Sequence, residues 1–141
     1  MNPKRLVEEV TERWLADEES DVVWTGDHEG RRGVRMRQRT RDFTTVWFEV
    51  GERTLTIEAG VLPAPRFRVE EVYRQCLVRN RRTRRLHFAM DPEGEVILVG
   101  RIPVEHLDEQ ELDLVLGEAW ELIEVAFRPM VAAGFGREKD A

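Results

Sequence analysis

Between Val46 and Arg101 apolar and polar residues alternate in four short runs, and turn residues join those runs in pairs. Val46-Trp47-Phe48-Glu49-Val50, the turn Gly51-Glu52, and Arg53 to Ala59 predict one β-hairpin. Leu86 to Met90, the turn Asp91-Pro92-Glu93-Gly94, and Glu95 to Arg101 predict a second. Upstream, Val34 and Met36 alternate with Arg35, Arg37 and Arg39, so a further strand should join the first hairpin in a meander. Val22-Val23-Trp24 reads as a short strand or a packed turn.

The remaining apolar positions recur at helical spacing. Asn2-Pro3 has the chemistry of an N-cap and first helical residue, and Leu6, Val7, Val10, Trp14 and Leu15 follow on one stripe. After Pro63-Ala64-Pro65 closes the meander, Val69, Val72, Tyr73, Cys76 and Leu77 mark a short helix ending near Asn80. Asp108 and Glu111 form a capping-box-like start to a third helix. Leu112, Val115, Leu116, Ala119, Trp120, Ile123 and Phe127 give it a broad apolar stripe. Arg128-Pro129 should kink or end that helix, and Gly134 or Gly136 should close what remains. The expected order is α-β-β-β-α-β-β-α: one α+β domain over residues 1–141. Its mostly antiparallel, five-stranded sheet should carry long helices on one face.

The strand phases sort residues between the two sheet faces. Val46, Phe48, Val50, Leu55, Ile57, Leu86, Phe88, Met90, Val96 and Leu98 should lie under the helices. The other face should carry Trp47, Glu49, Thr56, His87, Ile97 and Val99, mixing an aromatic and two aliphatics with polar groups. Such a half-apolar surface predicts a peptide interface or the seam of a two-fold dimer, and these six residues are the candidates. Trp47 leads them, because Val46 and Phe48 already claim the covered face.

Composition narrows the class. The 141 residues are 41% hydrophobic and 35% charged, which describes a soluble globular chain. No apolar run approaches the roughly 20 residues that span a bilayer. The N-terminus leads into an amphipathic segment rather than a signal-peptide core, so a cytoplasmic location is expected. Cys76 is the single cysteine, which excludes an internal disulfide.

Charge is segregated. Residues 31–85 hold fifteen Arg, no Lys and six acids, whereas the rest holds seven bases and twenty-two acids. Acidic outer helices neutralising an Arg-rich sheet edge is the simpler account; an Arg surface for an anionic partner is the other. In the second account the surface draws on the arginines from Arg31 to Arg41 and on Arg79 to Arg85, with Arg79, Arg81, Arg82, Arg84 and Arg85 the candidate anion-binding residues. No aromatic interleaves with them and no helix-turn-helix or zinc-finger pattern appears, which argues against nucleic acid.

Catalytic and cofactor signals are absent from the sequence. His28, His87 and His106 lack metal-ligand spacing, and no Gly-rich phosphate loop occurs. Cys76 lies on an apolar stripe and reads as a small core residue. The expectation is a non-enzymatic chain without a cofactor or metal.

Several segments taken in order resemble the YbjN family of bacterial proteins in its actinobacterial form. They include Arg41-Asp42-Phe43-Thr44-Thr45-Val46-Trp47-Phe48, Val50 to Leu55 and Val61-Leu62-Pro63-Ala64-Pro65. They continue through Glu71-Val72-Tyr73-Arg74, Arg79-Asn80, His87 to Asp91, Gly94, Leu98 to Pro103 and Gly134-Phe135-Gly136. The resemblance covers roughly residues 33–136. It implies a type III secretion chaperone-like fold and a peptide- or protein-binding role, chaperone-like or regulatory, often as a homodimer. It carries over no catalytic residue. The turn from Arg81 to Arg85 is more basic than the resemblance leads one to expect.

Overall fold

The structure, a computed structural model, describes residues 2–136. Helix α1 (Pro3–Ala16) begins where the Asn2 side chain accepts the Lys4 and Arg5 N–H groups. Six strands follow: β1 (Val22–His28), β2 (Arg31–Arg37), β3 (Phe43–Val50), β4 (Thr54–Leu62), β5 (Leu86–Met90) and β6 (Val96–Pro103). Helix α2 (Val69–Arg79) separates β4 from β5, and helix α3 (Glu109–Phe135) closes the chain. The strands form one antiparallel sheet in the order β1-β2-β3-β4-β6-β5.

The sheet therefore has six strands where five were expected, and the extra one is β1. A bulge between Val22 and Trp24 shifts the pairing phase, so Val22 faces Met36 and Trp24 faces Arg35. The inward positions after the bulge are Thr25 and Asp27, which are polar. Period-2 hydrophobicity is consequently missing from a strand that pairs along its whole length.

One face of the sheet carries the core. Val46, Phe48, Leu55, Ile57, Leu86, Phe88, Val96 and Leu98 are buried against Val7 and Val10 of α1, Val72 and Cys76 of α2, and Leu112, Val115, Ala119, Ile123 and Met130 of α3. Val50 is half-buried. Met90 departs from expectation at 50% exposure, because β5 is an edge strand and Met90 ends it. Trp14 and Trp120 pack on the helical side, donating Nε1–H to Asp113 and to the Arg37 carbonyl. Pro129 neither ends α3 nor keeps it from Phe135, where Gly136 caps it.

Two α3 carboxylates fasten loops to this layer. Glu124 accepts the Arg39 and Thr40 N–H groups and the Gln38 amide between β2 and β3. Glu118 accepts the N–H groups of Arg84, Arg85 and Leu86 at the entrance to β5.

Candidate functional site: the open sheet face

Among the described residues, no helix lies over the second face. One register row crosses the sheet as Gly26, Gly33, Trp47, Glu58, Val99 and His87. An adjacent row holds Glu49, Thr56 and Arg101, and a third holds Gly60, Ile97 and Ala89. All six predicted interface residues thus share one face. Trp47 and His87 nevertheless stand three strand spacings apart, roughly 14 Å.

Trp47 is not a lone anchor. Its ring lies across β2 where Gly33 leaves room; a Cβ at Gly33 would stand 2.6 Å from the Trp47 ring and 2.9 Å from the Trp24 ring. Trp24 likewise covers Gly26, at 2.7 Å from the position of its missing Cβ. The two indoles meet edge to face, with centroids 6.5 Å apart at 72°. Arg31 stacks 4.7 Å from the Trp47 ring and also reaches Glu58 at 3.9 Å, while Arg35 stacks 5.4 Å from the Trp24 ring. The His28 ring lies 6.0 Å from that of Trp47.

This array of two indoles on a glycine floor is edged by two guanidiniums, and Glu58 on β4 separates it from half-buried Val99 on β6. Trp24, Gly26 and Gly33 are the members that sequence reasoning missed, and Arg31 and Arg35, expected only as part of an anion surface, stack on the indoles instead. A Gly two residues after Trp24 and another amid β2 were the available signals.

The two sheet edges differ. On β5, the Asn80 side chain donates to the Phe88 carbonyl (2.9 Å) and accepts its N–H (2.7 Å), while Glu118 takes the Leu86 N–H. The β5 edge is thereby closed by side chains. On β1, no side chain among the described residues bonds the main chain of residues 23–28, and Val23 and Trp24 are exposed.

The predicted anion cluster diverges. Arg85 forms a two-pronged pair with Glu111 (2.8 and 2.7 Å). Hydrogen bonding from Arg85 holds the Glu111 carboxyl below the usual carboxylate range, and the same bond raises Arg85. Arg79 is half-buried, with an Nε that has no acceptor among the described residues. Arg81, Arg82 and Arg84 are exposed. Cys76 is on the buried side of α2, and that burial pushes its thiol up, the setting of a core residue.

The sequence model of YbjN, "Putative bacterial sensory transduction regulator", matches residues 8–131. The chain belongs to the YbjN family. The match reaches back through most of α1, beyond the segments that carried the resemblance.

An uncharacterized protein of Mycobacterium leprae is 36% identical over 102 residues, 72% of this chain and 55% of that protein. One from Mycobacterium tuberculosis is 36% identical over 86 residues, 61% of this chain and 47% of that protein. The chain spans about half the length of these curated relatives.

Among solved structures, the ExsC–ExsE complex superposes with a TM-score of 0.65 at 18% identity, covering 92% of this chain and 97% of the other. The Yersinia pestis type III secretion chaperone SycH, in complex with a fragment of YscM2, gives 0.55 at 14%, covering 89% and 99%. YbjN from E. coli gives 0.54 at 10%, covering 86% and 88%. The fold is thus the α+β fold that YbjN shares with type III secretion chaperones. No helix among the described residues is long and apolar enough to cross a membrane.

Proposed function

We propose that this chain is a non-enzymatic protein- or peptide-binding module, chaperone-like or regulatory, that works as a homodimer in the cytoplasm. The observation that carries the reading is the open sheet face. Its indoles are held in place by glycines and flanked by arginines, next to a β1 edge that no side chain among the described residues closes. An extended partner segment suits this surface: its main chain adds to β1 while its side chains lie over Trp24 and the Trp47 ring that reaches across β2. Glu49, Thr56 and His87 supply polar contacts at the margin. The solved complexes of ExsC with ExsE and SycH with a YscM2 fragment support a protein partner through their shared fold.

The test is affinity purification of tagged chain from its native cell, with Trp47→Ala in parallel. Proteins retained by the wild type should be lost from the variant, since a buried aromatic anchor carries about 2 kcal/mol or more of such an interface. Equal retention of every captured protein would overturn the role of this face.

The exposed Arg81, Arg82 and Arg84, which form no ion pair among the described residues, favour one second reading, an arginine-mediated anion or nucleic-acid regulator. Binding to a mixed DNA and RNA pool should then strengthen as salt falls. No shift at low salt excludes it.

A further inference from the structure

We infer that the open face over β1, β2 and β3 also binds single-stranded nucleic acid, with bases stacked on its aromatic rings and phosphates held by its arginines. The inference goes beyond the protein-binding reading and does not rest on it. It also puts nucleic acid on a different surface from Arg81, Arg82 and Arg84.

The pairing registers assemble what the sequence keeps apart. On β2 the outward positions are Arg31, Gly33, Arg35 and Arg37, because Arg32, Val34 and Met36 turn toward the helices. Beside them β3 presents Phe43, Thr45 and Trp47, and β1 presents Trp24, Gly26 and His28. Phe43 faces Arg37 across one ladder, and Trp24 faces Arg35 across the other. Three rings thus interleave with three guanidiniums over three adjacent strands. The run from Arg79 to Arg85 lacks this interleaving, which is how open sheets hold unpaired bases.

Rings and charges are both accessible. Phe43 is 49% exposed and Trp24 37%. Arg35 and Arg37 are exposed, and neither has a carboxylate partner among the described residues. Arg35 touches the Trp24 ring and, at 3.5 Å, the Thr45 hydroxyl; Arg37 donates to the Ser20 carbonyl at 3.4 Å. Two residues apart on one strand, they stand about 7 Å from each other, so an extended phosphodiester chain can meet both in turn.

The distribution of charge selects the same face. The chain is net −6, yet its acids gather on the other side of the sheet. Helix α3 carries six acids against Arg128 alone, and α1 adds Glu8, Glu9 and Glu12. Within the open rows of β1 to β4 the acids are Glu49, at the margin, and Glu58, which Arg31 already approaches at 3.9 Å. A polyanion is repelled from the helices and drawn to the sheet.

Fluorescence anisotropy with the full chain tests this, using a labelled single strand of about 12 nucleotides, as DNA and as RNA, beside the matching duplex. At low salt one of the single strands should bind at least about 10-fold more tightly than duplex, since only unpaired bases can stack. It should also quench tryptophan emission, and added salt should weaken it. Arg35→Glu/Arg37→Glu, with folding checked by circular dichroism, should weaken binding at least about 10-fold and flatten its salt dependence. Trp24→Ala should cost about 10-fold and reduce the quenching. Duplex bound as tightly as single strand overturns the platform. So does a larger loss through Arg81→Glu/Arg82→Glu than through Arg35→Glu/Arg37→Glu, which moves nucleic acid to the turn before β5. No binding at low salt overturns both nucleic-acid surfaces and leaves the face to a protein partner alone.

Discussion

The two rims of the sheet solve the same problem in opposite ways. Any edge strand presents unpaired N–H and C=O groups that invite another chain to pair. At β5 the molecule supplies its own substitutes: the Asn80 amide imitates a neighbouring strand at Phe88, and Glu118 gathers three successive N–H groups. At β1 the described residues supply none, and an aromatic layer lies beside that edge instead. A protein that closes one edge so fully and leaves the other open separates its surfaces by task.

The strongest way to break this contrast is to uncap β5. Glu118→Ala strands three N–H groups at one site and should cost about 2–3 kcal/mol in urea unfolding. It should also make the chain prone to aggregate, because a second edge is then open. Chemical denaturation and light scattering read both effects, and an unchanged midpoint would refute the capping role.

Next in size is the floor of the aromatic layer. Gly33→Val puts side-chain atoms where Trp47 and Trp24 lie, at 2.6 and 2.9 Å from the Cβ position. The indoles must lift, at about 1–3 kcal/mol, and tryptophan emission should shift to the red.

Acid should separate the rims more gently. Hydrogen bonds from Arg85 hold Glu111 below the usual range. Burial alone would raise Glu124, yet the N–H groups of Arg39 and Thr40 and the Gln38 amide outweigh it and hold it low. Both carboxyls have folded values below their unfolded ones. Their contribution is therefore present above the unfolded value near pH 4.3 and is lost as pH falls through the folded values. Each is partly exposed and contributes less than about 1 kcal/mol. Hydrogen exchange at acid pH should accelerate in residues 38–40 and at the start of β5 before it does in β1.

The smallest effect on stability, and the most specific, belongs to Val23→Lys on the open edge. Stability should change by less than about 0.5 kcal/mol, while partner capture falls, since a charged edge residue discourages strand addition. Capture equal to wild type would move the partner away from β1.

The same contrast explains what could be read from the chain. The hairpins of β3–β4 and β5–β6 were legible because each strand has one buried face, so period 2 survives in the residues. Strand β1 was not: its bulge at Val23 breaks the phase, and Thr25 and Asp27 point inward without being apolar. Trp47 stood out because its neighbours were spoken for. Trp24 did not, since its role depends on an absent side chain two strands from Trp47's own hairpin partner. Met90 fits the inward phase, but periodicity does not reveal where the covering helices stop. The β5 caps were invisible because Asn80 lies eight residues from Phe88 and Glu118 thirty-two from Leu86, distances at which only the folded topology brings groups together.

Glu118 and Glu124 sit on one helix, six residues or about 9 Å apart. One grips the chain entering β5 and the other the turn between β2 and β3, across most of the sheet's width. Helix α3 is therefore a crossbar with two hooks along its middle. A displacement along its axis strains both hooks together, so the guarded rim and the far turn share a single mechanical state.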